Sequence, residues 1–330
     1  NLKTGPIWAF AIHGGAAGFT RETWDQFEKK TGASQEQYRA VLTEALHAGA
    51  AVLKENGNAL DAVETAIVIL EDSPLFNAGK GSVFNAKGEH ELDASIMDGA
   101  TLNAGAVAGV TTVKNPIKAA REVMAHSKHV LLQGIGAEQF SAERKLELVD
   151  NTYFSVDYLQ RLFDKWKKKN SSLLNPNSNA SNLESDQAGL SLKKFGTTGA
   201  VALDMKGNFA AGTSTGGLSY KSYGRVGDSP IIGAGTYAAN GLCAVSGTGE
   251  GEYFIRLSVA RTICAEIEYN HVDGKTAGEK VMAGRLTELG GYGGVIVLDA
   301  KGNASFSFNT PSMFRAFATS AGETKVKLFK

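Results

Sequence analysis

The chain has 330 residues, 43% of them hydrophobic, and its 34 basic and 34 acidic side chains give a formal net charge of zero. This length allows a large core, and we expect a single domain over residues 1–330. The charge balance argues against a nucleic acid or a membrane surface as the partner and favours a small-molecule or dipeptide substrate. The nearest candidate for a membrane span, Ala66–Leu70, is far shorter than the roughly 20 residues required.

The compartment depends on what preceded the first residue. The chain begins at Asn1 rather than Met, which indicates that a secretion signal or a cloning leader was removed. The first would make the protein periplasmic or secreted, and the second would leave it cytoplasmic.

The N-terminal part of the chain is predicted to contain one strand and two helices. Ile7–Ile12 is a short apolar run that suits a strand. Ser34 followed by Gln37 is the pattern of a capping box and predicts the start of a helix. Asn58 predicts the start of a second helix, which ends before Pro74 because proline cannot continue it.

The middle of the chain is predicted to alternate between strands and helices. Pro116 follows Asn115 and suits the first turn of a helix. Further helical segments are expected between Ala137 and Lys169. The predicted strands are Val83–Phe84, Glu91–Met97 and Ala106–Val113.

The C-terminal part is rich in strands, with helices predicted over Glu250–Asn270 and around Ala277–Leu289. Leu203–Asn208 and Leu298–Asn303 share one pattern and predict two matching hairpin turns. Strands occur in runs, with helices between the runs. This arrangement favours two packed antiparallel sheets with helices outside them, an α+β fold with the layer order αββα.

Cys243 and Cys264 are the only two cysteines. Their number and spacing fit neither a disulfide framework nor a zinc site. We therefore predict that both are buried and behave as small hydrophobic side chains.

The junction at Gly196-Thr197 is the most informative feature of the chain. A flexible linker is predicted before it, at about residues 167–194, because this tract is too poor in apolar residues to order itself. A threonine hydroxyl is a weak nucleophile unless a base lies beside it, and a free α-amine on the same residue can be that base. Breaking the Gly196-Thr197 bond would give Thr197 both groups. The same pattern also suits a threonine that merely begins a strand.

Three glycine-rich motifs suggest other chemistry. Gly212–Gly216 fits the G-x-S-x-G pattern of an esterase, with Ser214 as nucleophile and His271 as base, but no helix is predicted after it. Gly233–Ala238 resembles a dinucleotide-binding turn without the strand–helix–strand frame, and Gly247–Gly251 lacks the lysine of a phosphate-binding loop. The Ser214 esterase is kept as a remote alternative.

Seven segments carry a joint signal, although each alone is weak. They are Ile12–Ala16, Pro74–Gly81, Glu91–Ala94, Gly196–Val201, Thr213–Gly217, Gly224–Pro230 and Ser246–Gly249. In this order, and over nearly the whole chain, they resemble the plant-type asparaginase and isoaspartyl peptidase family of N-terminal-nucleophile hydrolases. The resemblance implies a four-layer αββα sandwich and self-cleavage into an α subunit, residues 1–196, and a β subunit, residues 197–330. Thr198 stands where this family usually carries valine, and Gly196 directly before Thr197 favours Thr197 as the new terminus.

The resemblance also implies the roles of individual residues. Thr197 would attack a side-chain amide carbonyl, and the Thr248 hydroxyl with the Gly249 backbone N–H would stabilise the oxyanion. Thr215 would tune the Thr197 amine, and Asn77 would orient its amine or hydroxyl.

The implied substrate contacts lie in two loops. Arg225 would hold the α-carboxylate of an aspartyl group and Asp228 its α-ammonium, while Gly249 and Gly251 would add backbone contacts. His13 is interpreted as structural, because the α-amine already supplies the base.

The loop after the second predicted helix resembles the monovalent-cation loop of the family. Sodium or potassium would have a structural role there, and no cofactor is implied for catalysis. The ligands would be the Ser73 side chain and the backbone carbonyls of Leu70, Glu71, Phe76, Ala78 and Lys80.

The implied reaction is hydrolysis of L-asparagine and β-aspartyl (isoaspartyl) dipeptides through a threonine ester. Cleavage of N-glycosylated asparagine, the glycosylasparaginase reaction, is the alternative within the same superfamily, since the sequence does not measure the pocket. Two αβ units are implied to pair as a homodimer.

Overall fold

The computed structural model describes residues 7–170 and 196–330 of the chain. Within them the strands are β1 (Ala9–Ala17), β2 (Leu92–Asp98), β3 (Ala104–Val110), β4 (Leu131–Gln133), β5 (Thr198–Leu203), β6 (Phe209–Thr215), β7 (Thr236–Ala239), β8 (Cys243–Gly249), β9 (Gly293–Asp299), β10 (Ala304–Phe308), β11 (Ser312–Thr319) and β12 (Thr324–Phe329). The α-helices are α1 (Trp24–Thr31), α2 (Gln35–Lys54), α3 (Ala59–Asp72), α4 (Pro116–His126), α5 (Gly134–Glu143), α6 (Asp157–Lys169), α7 (Gly251–Leu257), α8 (Val259–Asn270) and α9 (Gly274–Glu279). A 3₁₀ helix covers Asn151–Phe154, and a π-helical segment, Lys280–Leu286, continues α9.

The strands form two sheets. The larger sheet has the order β12-β11-β1-β5-β6-β2-β3-β4, and the smaller has the order β10-β9-β8-β7. The pairings are antiparallel except the one between β3 and the short edge strand β4. This confirms the antiparallel sheets predicted from the runs of strands.

Three hydrophobic clusters show how the layers stack. The first includes Leu46 of α2 and Ile67 of α3 and lies between the helices and one face of the large sheet. The second lies between the two sheets and includes Val201 of β5 and Ile296 of β9. The third, around Ile263 of α8, packs helices against the outer face of the small sheet. The layer order is αββα, as predicted.

The local signals at helix starts are confirmed. Ser34 Oγ accepts from the Gln37 N–H at 3.4 Å, and Gln37 Oε1 accepts from the Ser34 N–H at 2.8 Å. At α3, Asn58 Oδ1 accepts from the Asp61 N–H at 2.8 Å. Each such cap satisfies backbone donors that the helix leaves unpaired and contributes about 1 kcal/mol. Among the described residues, no helix combines the length and apolar character needed to span a bilayer.

The two predicted hairpin turns have the same hydrogen bonds. Between β5 and β6, Asp204 Oδ1 accepts from the backbone N–H groups of Lys206 and Asn208, both at 2.9 Å. Between β9 and β10, Asp299 Oδ1 makes the equivalent contacts at 2.9 and 3.0 Å. The aspartate in each turn therefore fixes the reversal of the chain.

Three local predictions were wrong. Val83–Phe84 is not a strand. Phe84 O accepts from the N–H of Tyr220, a loop residue, at 2.7 Å instead of from a neighbouring strand. No helix is predicted between the first strand and Ser34, but this segment contains α1. Lys167–Lys169 form the end of α6 instead of the start of a linker. Their positive charges stabilise the C-terminus of this helix. The rest of the predicted linker, residues 171–194, lies outside the described residues.

The prediction for the cysteines was also wrong in part. Cys243 and Cys264 are both fully buried, as predicted. However, they form a disulfide between β8 and α8. Their sequence spacing did not reveal the bond, because the two residues meet only when α8 packs across the small sheet.

Candidate active site

The Gly196-Thr197 junction lies at the start of β5, near the middle of the large sheet. Thr197 is only 6% exposed, and β5 pairs with β1 on one side and β6 on the other. The register of β1 shifts between His13 and Gly15. A Cβ on Gly15 would lie 2.6 Å from Gly196 Cα and 3.1 Å from Thr197 N. Glycine at this position therefore lets the backbone of β1 lie directly against the junction.

Thr215, the last residue of β6, connects the two sides of the junction. Its hydroxyl oxygen accepts from the Thr197 hydroxyl and from the Gly217 N–H, both at 3.0 Å. Its own proton is directed to Gly196 O at 3.3 Å. These contacts use one proton and two lone pairs, which is the full capacity of a hydroxyl. The Thr197 hydroxyl is thereby held beside the Gly196 carbonyl.

The side-chain amide of Asn77 contacts the same carbonyl. Its Nδ2 donates to Gly196 O and Gly217 O, both at 2.7 Å, and its Oδ1 accepts from the Val83 N–H at 3.0 Å. Because both carbonyls need a donor and the N–H needs an acceptor, these contacts fix the orientation of the amide. Asn77 and Thr215 place two donors where negative charge would develop during attack on this carbonyl.

Thr248 and Gly249 are the last two residues of β8, which ends beside the Gly196-Thr197 junction. Gly249 lines the cleft in front of Thr197 and has a φ of 155°, a backbone conformation that is essentially restricted to glycine. Thr248 is fully buried beside it, and its hydroxyl oxygen accepts from the Ala16 N–H at 3.1 Å. Since that contact uses a lone pair of the hydroxyl, its proton stays available to a ligand.

Arg225 is held in place by an acidic residue that the sequence reasoning missed. Its Nε and Nη2 donate to the two carboxylate oxygens of Glu252 at 2.9 and 3.0 Å. Burial alone would raise the pKa of Glu252, but the hydrogen bond and charge of Arg225 outweigh it and lower that pKa. The remaining nitrogen, Nη1, lies against Gly217 and Gly227, two residues of the cleft wall. Arg225 therefore presents one free edge of its guanidinium to the cleft.

Asp228 is a buried carboxyl at the wall of the cleft. It is 5% exposed, and its Oδ2 has no hydrogen-bond partner among the described residues. Burial raises its pKa from 3.8 to about 6, although its own backbone N–H and the charge of Arg225 act in the opposite direction. An unpaired buried acceptor is costly, and a ligand ammonium group would satisfy it.

The cleft between these groups is small. Its open volume is about 250 Å³. A Cβ on Gly251, the first residue of α7, would lie 2.9 Å from both Arg225 Nη2 and Asp228 Oδ1, so this glycine allows close packing against the two charged side chains. The residues that line the cleft are Gly196, Thr197, Thr215, Gly217, Leu218, Arg225, Gly227, Asp228, Ser229 and Gly249.

The residues of the esterase alternative do not meet. Ser214 is fully buried and donates to Glu71 Oε1 of α3 at 2.6 Å, on the helical side of the large sheet. His271 is exposed and follows α8, which packs on the small sheet. Ser214 therefore has no histidine base. Thr198 pairs with Ser214 across β5 and β6 and donates its hydroxyl proton to Ser214 O at 3.3 Å. Thr198 does not line the cleft.

His13 is fully buried beside the junction. Burial lowers the pKa of its imidazole from 6.5 to about 3, while a contact with the Thr197 backbone acts in the opposite direction. Its Nε2 lies 2.9 Å from Ser246 Oγ. The ring is therefore neutral at physiological pH.

The predicted cation loop follows the end of α3. The Lys80 N–H donates to Glu71 O at 2.6 Å, which closes the loop. A Cβ on Gly81 would lie 2.6 Å from the carbonyl oxygens of both Phe76 and Pro74. The backbone carbonyls of Phe76 and Pro74 therefore lie close against Gly81, where no side chain would fit. Ser73 Oγ accepts from the Leu75 N–H at 3.3 Å. Binding of a cation by the predicted carbonyls stays a prediction.

Two further residues anchor the loop that carries Arg225. Lys221 is 5% exposed and its Nζ donates to Glu91 O at 2.8 Å. Burial lowers the pKa of Lys221, against the charges of Asp93 and Glu91. The Glu91 carboxylate accepts from the Gly224 N–H at 2.9 Å. No local sequence pattern marks these contacts, because they join segments more than 100 residues apart.

Comparison with known proteins gives matches along nearly the whole chain. A protein-family model described as Asparaginase matches residues 6–328. The chain is 44% identical over 317 residues to the isoaspartyl peptidase of Escherichia coli (strain K12), which covers 95% of this chain and 93% of that protein. It is 42% identical over 333 residues to the probable isoaspartyl peptidase/L-asparaginase 2 of Arabidopsis thaliana, covering 98% and 99%. It is 40% identical over 305 residues to the isoaspartyl peptidase/L-asparaginase of Homo sapiens, covering 92% and 90%.

Proposed function

The chain belongs to the asparaginase family, and we propose that it hydrolyses L-asparagine and β-aspartyl dipeptides with Thr197 as nucleophile, after self-cleavage at Gly196-Thr197. The observation that carries this proposal is the arrangement at the junction. Gly196 O accepts hydrogen bonds from Asn77 and Thr215, and the Thr197 hydroxyl is held by the same Thr215.

Self-cleavage begins with attack of Thr197 Oγ1 on the Gly196 carbonyl carbon. A new C–O bond forms, the C–N bond of the peptide breaks, and the hydroxyl proton passes to the departing Thr197 nitrogen. The donors on Gly196 O stabilise the oxyanion between these events. Water then hydrolyses the ester, which leaves a carboxyl group on Gly196 and a free amine and hydroxyl on Thr197.

Turnover repeats this chemistry on the substrate. The free amine of Thr197 takes the hydroxyl proton while Oγ1 attacks the β-carbonyl carbon of the aspartyl group. The C–N bond breaks, and the proton goes to the leaving ammonia or amino acid. Water cleaves the β-aspartyl ester and releases aspartate. The Thr248 hydroxyl and the Gly249 N–H are the proposed donors to the substrate oxyanion.

Charge complementarity supports an aspartyl group as the part that is recognised. The free edge of Arg225 suits an α-carboxylate, and the unpaired Oδ2 of Asp228 suits an α-ammonium. Both groups lie at the cleft that Thr197 lines. The relatives are named isoaspartyl peptidases and L-asparaginases, which does not favour the glycosylasparaginase alternative.

Two further features belong to the proposal. The carbonyls around Gly81 and the end of α3 would hold sodium or potassium, which would fix the loop that presents Asn77. Two αβ units would associate as a homodimer, as the resemblance to the family implies.

The experiment that tests the function is mass spectrometry of the incubated protein together with an asparaginase assay. We expect fragments 1–196 and 197–330, the second with an N-terminal threonine, and release of ammonia from L-asparagine. Thr197→Ala should give neither product, whereas Thr197→Ser should still be cleaved because a hydroxyl remains. Thr198→Val is the matched control and should behave as the wild type. A single intact chain after long incubation, or full activity of Thr197→Ala, would refute the proposal.

A further inference from the structure

A row of buried polar groups crosses both sheets directly behind the candidate active site. His13, Ser95, Thr213, Thr236 and Ser246 are all fully buried. In the large sheet, Thr213 of β6 pairs with Gly199 of β5 and with Ser95 of β2, and Gly199 pairs with His13 of β1. In the small sheet, Thr236 of β7 pairs with Ser246 of β8. The surrounding contacts between the sheets are apolar.

The five side chains form one continuous chain of contacts. His13 Nε2 lies 2.9 Å from Ser246 Oγ, and Ser246 Oγ lies 2.7 Å from Thr213 Oγ1. Thr213 and Thr236 are 2.6 Å apart, and Thr236 and Ser95 are 2.8 Å apart. The chain ends where Ser95 Oγ meets the carbonyl oxygen of Ser229 at 2.6 Å.

Counting protons assigns the donors along this chain. The Ser229 carbonyl can only accept, so the single proton of Ser95 goes to it. Thr236 donates to Thr213, and Thr213 donates to Gly235 O at 3.1 Å. Because the proton of Thr213 is then used, Ser246 must donate to Thr213.

The first link must then be a donor as well. His13 has to carry its proton on Nε2 and donate to Ser246. This assignment leaves one contact without a proton, the one between Ser95 and Thr236 at 2.8 Å, because the proton of Ser95 goes to the nearer Ser229 O.

Thr213 and Ser246 of this row lie on the same strands as two candidate site residues and point to the same face. Alternate residues of a strand point to the same face, and Thr213 and Ser246 stand two residues from Thr215 and Thr248. Gly199 likewise stands two residues from Thr197, and a Cβ there would collide with Ser246 Oγ and His13 Nε2. The last acceptor, Ser229 O, belongs to the residue after Asp228. The hydrogen-bond chain thus joins β6, β8 and the segment that carries Asp228, and it passes beside Gly199 of β5.

We propose that Ser95, Thr213, Thr236 and Ser246 are positioning residues, whose hydrogen bonds converge on Thr213, set the register between the two sheets and fix His13 as the Nε2–H tautomer. Polar groups between two apolar sheets are stable only in the arrangement that satisfies all of them. A slip of either sheet would break the chain and separate Thr215 from Thr248. The catalytic consequence rests on the proposed function, whereas the tautomer does not.

Kinetics of three variants test the catalytic part. Thr213→Val keeps the shape of the side chain and removes the hydroxyl, so we expect kcat per cleaved subunit to fall roughly 10- to 100-fold, as for other misplaced sites, with KM changed less than about threefold. Thr213→Ser restores the hydroxyl and should recover most of kcat. Thr310→Val is the matched control, because Thr310 is equally buried and donates only to Ser312 O; its kcat should equal that of the wild type. Equal kcat for Thr213→Val and Thr310→Val, or no recovery with Thr213→Ser, would overturn the proposal.

Nitrogen NMR of the histidines tests the tautomer independently. His13, assigned by comparison with His13→Gln, should show a protonated Nε2 and an unprotonated Nδ1 at neutral pH. Thr213→Val removes the acceptor of the Ser246 proton and should weaken this preference. Ser246→Ala, which removes the acceptor of the Nε2 proton, should weaken it as well and is the second variant if Thr213→Val does not fold. A protonated Nδ1 in the wild type would overturn the chain. A wild type that shows the expected tautomer but no hydrolysis of asparagine would refute the proposed function and leave the hydrogen-bond chain standing.

Discussion

Asn77 contacts the peptide bond at which we propose cleavage. Both of its N–H protons go to carbonyl oxygens, one of them that of Gly196. An aspartate has the same shape but offers lone pairs to both oxygens, so it would repel them and remove a donor from the oxyanion.

We therefore expect Asn77→Asp to slow self-cleavage by about 10²- to 10³-fold, the usual cost of one oxyanion donor. The measurement is the fraction of intact chain against time on a denaturing gel, starting from freshly synthesised protein. Asn85→Asp is a suitable control, because the Asn85 side chain accepts from two backbone N–H groups and an aspartate accepts equally well. Cleavage of Asn77→Asp at the rate of Asn85→Asp would contradict the role of the amide.

Asp228 predicts how substrate binding depends on pH. Its folded-state pKa of about 6 lies above the ordinary 3.8, so the neutral form predominates in the free enzyme below about pH 6 and cannot pair with an ammonium group. Protonation of Asp228 should therefore add a fall in kcat/KM for L-asparagine below pH 6, by about tenfold per unit and mainly through a rise in KM, to the fall that protonation of the Thr197 amine causes. Asp228→Asn should have a lower kcat/KM and show only the dependence due to the amine. A wild-type profile no steeper below pH 6 than that of Asp228→Asn would contradict this prediction.

The same carboxyl also affects stability. Because its pKa is raised in the folded state, its favourable contribution to the free energy of unfolding is fully present below about pH 4. That contribution is lost as the pH rises through about 6. The charge that is proposed to bind the substrate would thus destabilise the free protein, as is common at binding sites.

The proposed nucleophile, Thr197, and its immediate partners were predictable from the sequence, whereas the residues that support the Arg225 loop were not. Thr197, Asn77 and Thr215 stand in motifs that resemble a known family, and the structure brings them into contact. Glu252, Lys221 and Glu91 hold Arg225 and its loop through contacts between distant segments. Such pairs leave no local pattern, since any charged residue on a loop is more often solvated.

At the scale of the elements, the sequence predicted those helix starts and hairpin turns that are fixed by hydrogen bonds between nearby residues. The capping residue Ser34 and the hairpin residues Asp204 and Asp299 form their hydrogen bonds within a few positions. Helix α1 was missed because its stability is tertiary: Trp24 contacts the rings of Tyr38 and Phe329, far away in the chain. Short helices depend on such packing more than on their own sequence.

The disulfide between β8 and α8 gives a testable element. It closes a loop with a sequence separation of 21, for which chain entropy predicts a stabilisation of about 3 kcal/mol. The double variant Cys243→Ala/Cys264→Ala should therefore unfold at a lower denaturant concentration than the oxidised wild type. The reduced wild type is the control for lost side-chain volume and should resemble the double variant. Equal midpoints for the oxidised and reduced wild type would contradict the bond.

At the scale of the whole molecule, the large sheet interleaves the two halves of the chain. Strands β1 to β4 precede the proposed cleavage site, and the other strands follow it. In the sheet, β1 lies between β11 and β5, and β2 pairs with β6. Three strand boundaries would therefore join the two proposed fragments, in addition to the apolar contacts between the layers. Residue patterns predicted the layers, but this order arises from long-range pairing that no local pattern records.

After cleavage, the two fragments should therefore stay associated as one particle. Separation of the fragments would expose a hydrogen-bonding edge at each of the three boundaries and much of the core, which costs far more than the two new termini gain. We expect the cleaved protein to elute from a sizing column at the same volume as uncleaved Thr197→Ala, and to give two bands only under denaturing conditions. Cleaved protein and Thr197→Ala should also unfold in a single transition each, because neither fragment can complete the large sheet alone. Fragments that separate in native buffer would show that the strand order described above does not hold them together.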